Sequence, residues 1–250
     1  MFAELAFFSF VSLADAEQSG AYNRWHQLDH RPENLALPGV AWGDRWARPS
    51  DYVPLTRSSG EFEDVSYVAM YWFRPPVEQS VAEWDALGEA SFQWGRGPLI
   101  PGVSRPMLAF FRPVKGYAAP RALVAPEILP YRPNRGLHVT VTRFDEPHAT
   151  GTHEAHRVED RETVPAILAL DGVAGAWTFS YSHPQRHSSL PFDPTAQEAS
   201  GSIRIRVVYL EEDPAEMAAH IHRIDDERQS PVGRVLLSGP VKTIIPWQDW

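Results

Sequence analysis

The sequence predicts an α+β fold made of two tandem βαββαβ units packed sheet to sheet. Three observations predict it. The hexapeptide Leu35-Ala36-Leu37-Pro38-Gly39-Val40 returns as Leu168-Ala169-Leu170-Asp171-Gly172-Val173, so that Gly172 stands 133 residues after Gly39. Around each copy runs the same string of periodicities: strand, helix, strand, loop, strand, helix, strand. Each half also ends on Pro-Val-Lys, at Pro113-Val114-Lys115 and Pro240-Val241-Lys242. A period this long does not suit a solenoid and marks a repeated small domain. The expected units are residues 1–117 and 136–250, joined by a Pro-rich connector over 118–135.

The elements follow in order. Glu4 to Leu13 is apolar, but it lacks a positive start and contains Glu4, so it reads as a first strand and not as a leader peptide. A helix is expected from Ser19 to about Leu37, with Ala21, Trp25 and Leu28 on one face, stopped by Pro38-Gly39. Val40 to Trp46 is the second strand, Pro49 to Asp64 a polar loop and Val65 to Phe73 the third strand. Pro75-Pro76 opens a helix with the apolar stripe Val77, Val81 and Trp84. Met107 to Arg112 is the fourth strand. In the second half the strands are Gly136 to Phe144, Val173 to Ser180, Ser202 to Leu210 and a last one entered through Arg234 to Leu237. Its helices are centred on Arg161 to Leu170 and on the Pro214 stretch that carries Met217, Ile221 and Ile224. The order βαββαβ is the ferredoxin-like unit. Its sheet has helices on one face only, and the bare face must be covered. Two such units stacked sheet on sheet form an α+β barrel within one chain. The space between the sheets is then the expected ligand pocket.

Composition narrows the function. The formal net charge is −9 and no basic stripe is present, so nucleic acid and anionic membranes are not expected partners. With no cysteine there is no disulfide, thiolate nucleophile or Cys-based metal site. That fits a reducing cytoplasm. Nine Trp exceed what a core of this size needs and suit a pocket or an interface, so a homodimer built on exposed Trp is compatible with the chain. No glycine-rich phosphate loop, nucleophile elbow or dinucleotide fingerprint occurs. Gln93 to Pro98 reads as a turn.

The segment richest in chemistry is Tyr22 to Pro32. At helical spacing Tyr22, His26, Asp29 and His30 share one face. His exchanges protons near neutral pH, and Asp29 is placed to fix the tautomer of one imidazole. The second half lacks these groups, because His30, His26 and Tyr22 map to Thr163, Glu159 and Ala155. A solvated helix face is the plainer reading of the same pattern. His26 and His30 also have the spacing of a zinc pair. Position 27 is Gln where a zinc-protease helix has Glu, so no metal is expected. Trp42, Asp44 and Trp46 share one face of strand two. Tyr67, Tyr71 and Phe73 share one face of strand three, with Met70 and Trp72 on the other. Phe110 and Phe111 point opposite ways on strand four. Trp25, Trp42, Trp46, Tyr67, Trp72 and Phe110 are therefore candidates for holding a flat ligand, although aromatic residues are favoured in strands anyway. His138 and Arg206 lie on strands where they are candidates to face the pocket and bind an anion, and a wet sheet face is an equal reading for Arg204 and Arg206. His183, Arg186 and His187 stand in a loop, while His153, His156, His220 and His222 read as surface residues.

The stretch from Tyr22 and Trp25 through His30, Pro32 and Pro38-Gly39 resembles the EthD-like branch of the dimeric α+β barrel superfamily. The resemblance implies a small-molecule enzyme of that barrel without a cofactor, with His30 as general acid–base, while the tandem arrangement and the altered second half depart from the family pattern. Read from the residues, His26 or Tyr22 is expected to donate to an oxyanion and Asp29 to orient an imidazole. The expected chemistry is proton abstraction from an aromatic or polyketide-like substrate, leading to dehydration, decarboxylation, cyclisation or isomerisation. Two alternatives stand beside it. One is an oxygenase of the same barrel architecture, cofactor-free or haem-dependent, since tandem chains of this length resemble haem proteins of the chlorite dismutase kind. The other is a non-catalytic small-molecule binding protein.

Overall fold

The computed structural model describes residues 2–96, 100–186, 198–228 and 232–249. The first unit runs β1 (Leu5–Leu13), a helical segment, β2 (Val40–Ala47), the two-residue β3 (Arg57–Ser58), β4 (Val65–Phe73), α3 (Val77–Gln93) and β5 (Val103–Ala118). Its helical segment has three parts: α1 (Ser19–Trp25), a π turn (His26–His30) and α2 (Arg31–Leu35). The second unit runs β6 (Gly136–Arg143), α4 (Thr150–Val158), a π turn (Glu159–Thr163), α5 (Val164–Leu168), β7 (Val173–Pro184), β8 (Ile203–Leu210), α6 (Pro214–Glu227) and β9 (Arg234–Thr243). The two π turns are themselves 133 residues apart, and the repeated hexapeptide carries each chain segment from helix to strand. The second unit's first helix starts at Thr150, well before Arg161, where apolar periodicity becomes visible. Its buried residues there, Thr152 and Ala155, are small.

The strands lie in the order β2-β4-β1-β5-β7-β8-β6-β9, and β9 returns to β2, so eight antiparallel strands close a barrel. The two seams differ. β5 and β7 pair from Ala109↔Pro184 to Ala118↔Gly175, whereas β9 meets β2 only at Trp46↔Thr243 and Ala47↔Lys242. β3 extends the short seam by pairing Arg57 with Ser238 and Ser58 with Leu237. The connector after β5 touches both units: the Tyr131 hydroxyl donates to the Ala41 carbonyl at 2.9 Å, and Trp177 Nε1 donates to the Pro126 carbonyl at 2.9 Å.

A closed barrel flanked by helices buries both faces of its strands, and in the first sheet both faces are apolar. Phe8, Phe10, Met70, Trp72 and Phe111 point inward, while Phe7, Tyr71, Phe73, Leu108 and Phe110 point outward to the helices. The inward rings meet those of the second unit, with Phe8 5.0 Å from Phe179 and Trp72 5.2 Å from Trp177 between ring centroids. The space between the sheets, expected to be the ligand pocket, is thus a close-packed core. This corrects two candidate ligand contacts. Trp72 and Trp46 are core residues, 1% and 3% exposed, and the Trp46 indole is held by Asn134 Oδ1 at 3.1 Å. Trp42 lies at the barrel end, against Tyr131 and under the Arg31 guanidinium. No helix among the described residues is long and apolar enough to cross a membrane.

Candidate active site

The histidine cleft opens on the outer face of the first sheet, between β1, β4 and β5 on one side and α1, the π turn and α3 on the other. Its empty volume is about 750 Å³, counted out to the open mouth. Tyr22, Trp25, His26 and His30 reach it from the helical segment, Tyr71 and Arg105 from the sheet, and Trp84 from α3.

The π turn decides which helical residues face inward. The Arg31 N–H bonds to the His26 carbonyl, so the turn from 26 to 31 is wider than an α-helical one. In a wider turn the residue three places on falls further short of a full rotation. His30 keeps the His26 face and Asp29 leaves it. Asp29 is bound instead by the Arg96 guanidinium, which also holds Glu33 at 2.5 Å. The expectation that Asp29 orients an imidazole is therefore corrected.

Asn34, one α-helical turn beyond His30, takes that place. Its Nδ2 donates to the His30 carbonyl at 2.5 Å and stands 3.3 Å from His30 Nδ1. The carbonyl contact fixes the amide orientation, so Nδ1 faces a donor and must accept. Neutral His30 then carries its proton on Nε2. Its ring is stacked on Trp25 at 4.7 Å and 22°, and Trp25 Nε1 donates to the Arg96 carbonyl at 2.7 Å. Burial and the nearby charges of Arg105 and Arg45 hold the His30 pKa down to about 3. His26 is 2% exposed. Burial pushes its pKa well below the ordinary value too, helped by Arg45, His30, Arg31 and Arg105. Both imidazoles are thus neutral at neutral pH.

Three polar atoms on the residues lining the cleft are buried without a hydrogen-bond partner: His26 Nδ1, the Tyr71 hydroxyl and Trp84 Nε1. Such atoms are rare in folded proteins, and each costs about 1–3 kcal/mol. Burial raises the Tyr71 pKa above that of a free phenol, so Tyr71 stays a donor. Its ring stands edge-on to His30 at 6.2 Å and 88°. The ring is seated on Gly43 of β2, where a Cβ would lie 2.1 Å from Tyr71 Cδ1. Gly43→Ala is expected to tip the Tyr71 ring, to cost ~1–3 kcal/mol in thermal denaturation and to lower turnover more than binding. An unchanged melting temperature would show that the ring is free to shift.

The remaining candidates separate cleanly. Tyr67 packs on Tyr22 and on Arg45 beside the cleft, not in it. Phe110 lies against Phe7, Trp84 and the ring of His183. Arg206 belongs to the second unit, where Asp225 holds it at 2.7 and 2.8 Å. His138 is fully buried edge-on against His222, and His222, read as surface from the sequence, is itself buried. His187 lies outside the described residues. Sequence reasoning missed Arg105, Gly43 and Asn34 altogether, and it placed Tyr71 and Trp84 only in packing stripes. A glycine inside a strand is the one signal that was available. Among the described residues no cluster of three His, Asp or Glu is arranged to hold a metal ion.

The equivalent cleft of the second unit is lined by Ala155, Glu159 and Thr163 at the offset positions of Tyr22, His26 and His30. Tyr71, which pairs with Phe7, is matched there by Arg206, which pairs with Thr140. An aromatic cleft in one unit is thus an ionic one in the other.

No protein-family model and no curated protein matches the chain. Solved structures do. An anthrone oxidase-like protein matches with a TM-score of 0.58 and 11% identity, over 97% of this chain and 92% of that one. A candidate monooxygenase from Fusobacterium nucleatum subsp. nucleatum matches with a TM-score of 0.55 and 10% identity, over 98% and 94%. A chlorite dismutase variant from Candidatus Nitrospira defluvii matches with a TM-score of 0.50 and 11% identity, over 95% and 90%. The fold is that of the dimeric α+β barrels. At such identities the likeness is one of fold.

Haem is the group this fold brings into question for the second unit. An axial imidazole would have to face an apolar slot wide enough for the macrocycle. His138 is sealed, His222 Nε2 lies 3.2 Å from the Ser238 carbonyl, and His220 is exposed. His156 looks onto a cleft lined by Arg204, Arg206, Glu159 and Asp225. These residues do not fit a haem.

Proposed function

We propose that the protein is a cofactor-independent enzyme that ionises an aromatic or polyketide-like small molecule at a position acidified by a neighbouring carbonyl or phenol. The observation that carries this reading is the convergence of two neutral imidazoles and an unpartnered phenol on one aromatic cleft. In this reading His30 Nε2–H and the Tyr71 hydroxyl donate to the substrate oxygen as charge develops on it, which is where preformed donors contribute most. A neutral imidazole can polarise a carbonyl in this way. His26 receives the proton. These roles exchange those expected from the sequence, where His30 was the base. An imidazole of depressed pKa removes only an already acidic proton, which suits a C–H flanked by a ring and a carbonyl. Trp25, Tyr22 and Trp84 hold the ring system.

The stabilised anion then has two fates. Loss of water or carbon dioxide, ring closure or reprotonation gives the lyase or isomerase reading, in keeping with the EthD-like resemblance of the Tyr22–Gly39 segment. Reaction of the anion with dioxygen gives the second reading. It is supported by the fold shared with an anthrone oxidase-like protein and a candidate monooxygenase. The two halves of the chain, with matching π turns and hexapeptides, are read as a tandem duplication that kept one site. The test is to incubate purified protein with an anthrone and with aromatic β-keto acids in an oxygen electrode while following their absorbance. Consumption without oxygen uptake supports the first fate, and uptake of one dioxygen per substrate supports the second. No binding and no turnover across both classes would sink the proposal.

A further inference from the structure

We propose that the cleft takes its ligand as an anion, with a carboxylate or ionised phenolic oxygen of a flat aromatic molecule held by Arg105 in front of the two imidazoles. The inference rests on the aromatic-cleft reading above and adds the charge state of what binds.

Arg105, on β5, lines the cleft and is partly buried, and its guanidinium has no hydrogen-bond or ion-pair partner among the described residues. Behind Tyr22 lies a second guanidinium, Arg45, fully buried. It sits between the rings of Tyr22 and Tyr67, 4.7 and 4.4 Å from their centroids. Its Nη2 donates to Asn23 Oδ1 at 2.6 Å, while Nε and Nη1 have no partner. Among the described residues no carboxylate stands within ion-pair distance of either arginine.

Four carboxylates on the elements around the cleft are engaged elsewhere. Arg96 holds Asp29 and Glu33, and Arg31 holds Asp44 at 3.1 Å. Asp85, on the α3 side of the cleft, accepts from Gln185 at 3.4 Å. The charges that act most on His26 and His30 are those of arginines: Arg45 and Arg105 on both, with Arg31 on His26. The second unit makes the contrast plain. In its equivalent cleft Arg204 is bound by Glu159 at 2.9 Å and Arg206 by Asp225. There the cleft arginines have counter-charges, whereas Arg105 and Arg45 have none among the described residues. Arg is the side chain best suited to hold a carboxylate or phenolate oxygen. A bound oxyanion would complete Arg105 and offset the charge repulsion that adds to burial in lowering the basicity of His26.

The experiment is a binding titration with three probes on the intact protein, wild type and the variants R105L and R105K. The probes are 2-naphthoate, its neutral isostere 2-naphthamide, and 4-nitrophenol, whose phenolate is yellow. Wild type is expected to bind the naphthoate about tenfold or more tighter than the amide. The preference should fall to near one in R105L and be partly kept in R105K. Enhancement of the yellow band on binding would extend the class from carboxylates to phenolates, and its absence would confine it to carboxylates. Equal affinity for acid and amide in wild type overturns the anion and leaves the aromatic cleft standing. A preference that survives in R105L overturns the assignment to Arg105. Failure of both naphthalenes to bind overturns the aromatic cleft and this inference with it.

Discussion

His30→Ala is expected to fold normally and lose turnover by about 10²–10⁴-fold, the range for removing one positioned donor or proton-transfer group. His30 lies on the cleft surface with its backbone in a continuous helical segment, so truncation leaves the barrel intact. His30→Gln separates two roles. A glutamine amide can donate from roughly the place of Nε2–H, but it cannot take up a proton at neutral pH. If His30 acts as a fixed donor, His30→Gln should be about tenfold more active than His30→Ala. Equal loss in both, measured as kcat at saturating substrate, would instead give His30 the proton-transfer step. Asn34→Leu provides the companion result. Without the amide that faces Nδ1, His30 is free to change tautomer, and kcat should fall while KM holds.

The second large effect concerns acid. His26, His30, His138, His156 and His222 are all held below their ordinary pKa, chiefly by burial, with His30 at about 3 and His156 at about 4. In the unfolded chain each titrates near ~6.5. Above that pH the folded and unfolded forms are both neutral, and these groups contribute no slope. Below it the unfolded chain takes up protons that the folded chain refuses, so stability falls as pH falls. The fully buried His26 and His138 each contribute up to about 1.4 kcal/mol per pH unit, and the more open His30, His156 and His222 contribute less. Asp160 and Asp226, held low mainly by hydrogen bonds from Lys115 and Arg57, work in the same direction, but only below the carboxylate range. The melting temperature is therefore expected to be level from roughly pH 8 to 7 and to drop steeply below about pH 6. A level profile down to pH 5 would mean that the imidazoles are not sealed.

Much of the fold was legible in the sequence, and the reason is local. The hexapeptide fixes where each helix yields to a strand, and Val77, Val81 and Trp84 face the sheet as their spacing requires. Tyr22, Trp25, His26 and His30 were likewise found from one segment. What could not be read was which sheet face bounds the site. In a half-exposed sheet, polarity would have told the faces apart. Here Phe8 and Trp72 on one face and Phe7 and Tyr71 on the other are equally apolar, because helices cover one and a second sheet the other. Asp29 was misplaced for a different reason: helical spacing assumes a constant turn, and the π turn breaks it. Arg105 and Arg45 are single residues in strands, and nothing about their neighbours in sequence announces that they have no counter-ion among the described residues.

The closure of the barrel within one chain has a consequence for how such a site can change. Where two identical subunits form the barrel, any substitution appears twice, and a gain on one side is also a gain on the other. Here the β5–β7 seam joins two segments that a single gene can alter separately. Tyr71 and Arg206 can therefore occupy matching places with opposite characters, and the second unit is free to become a scaffold that holds the first in shape.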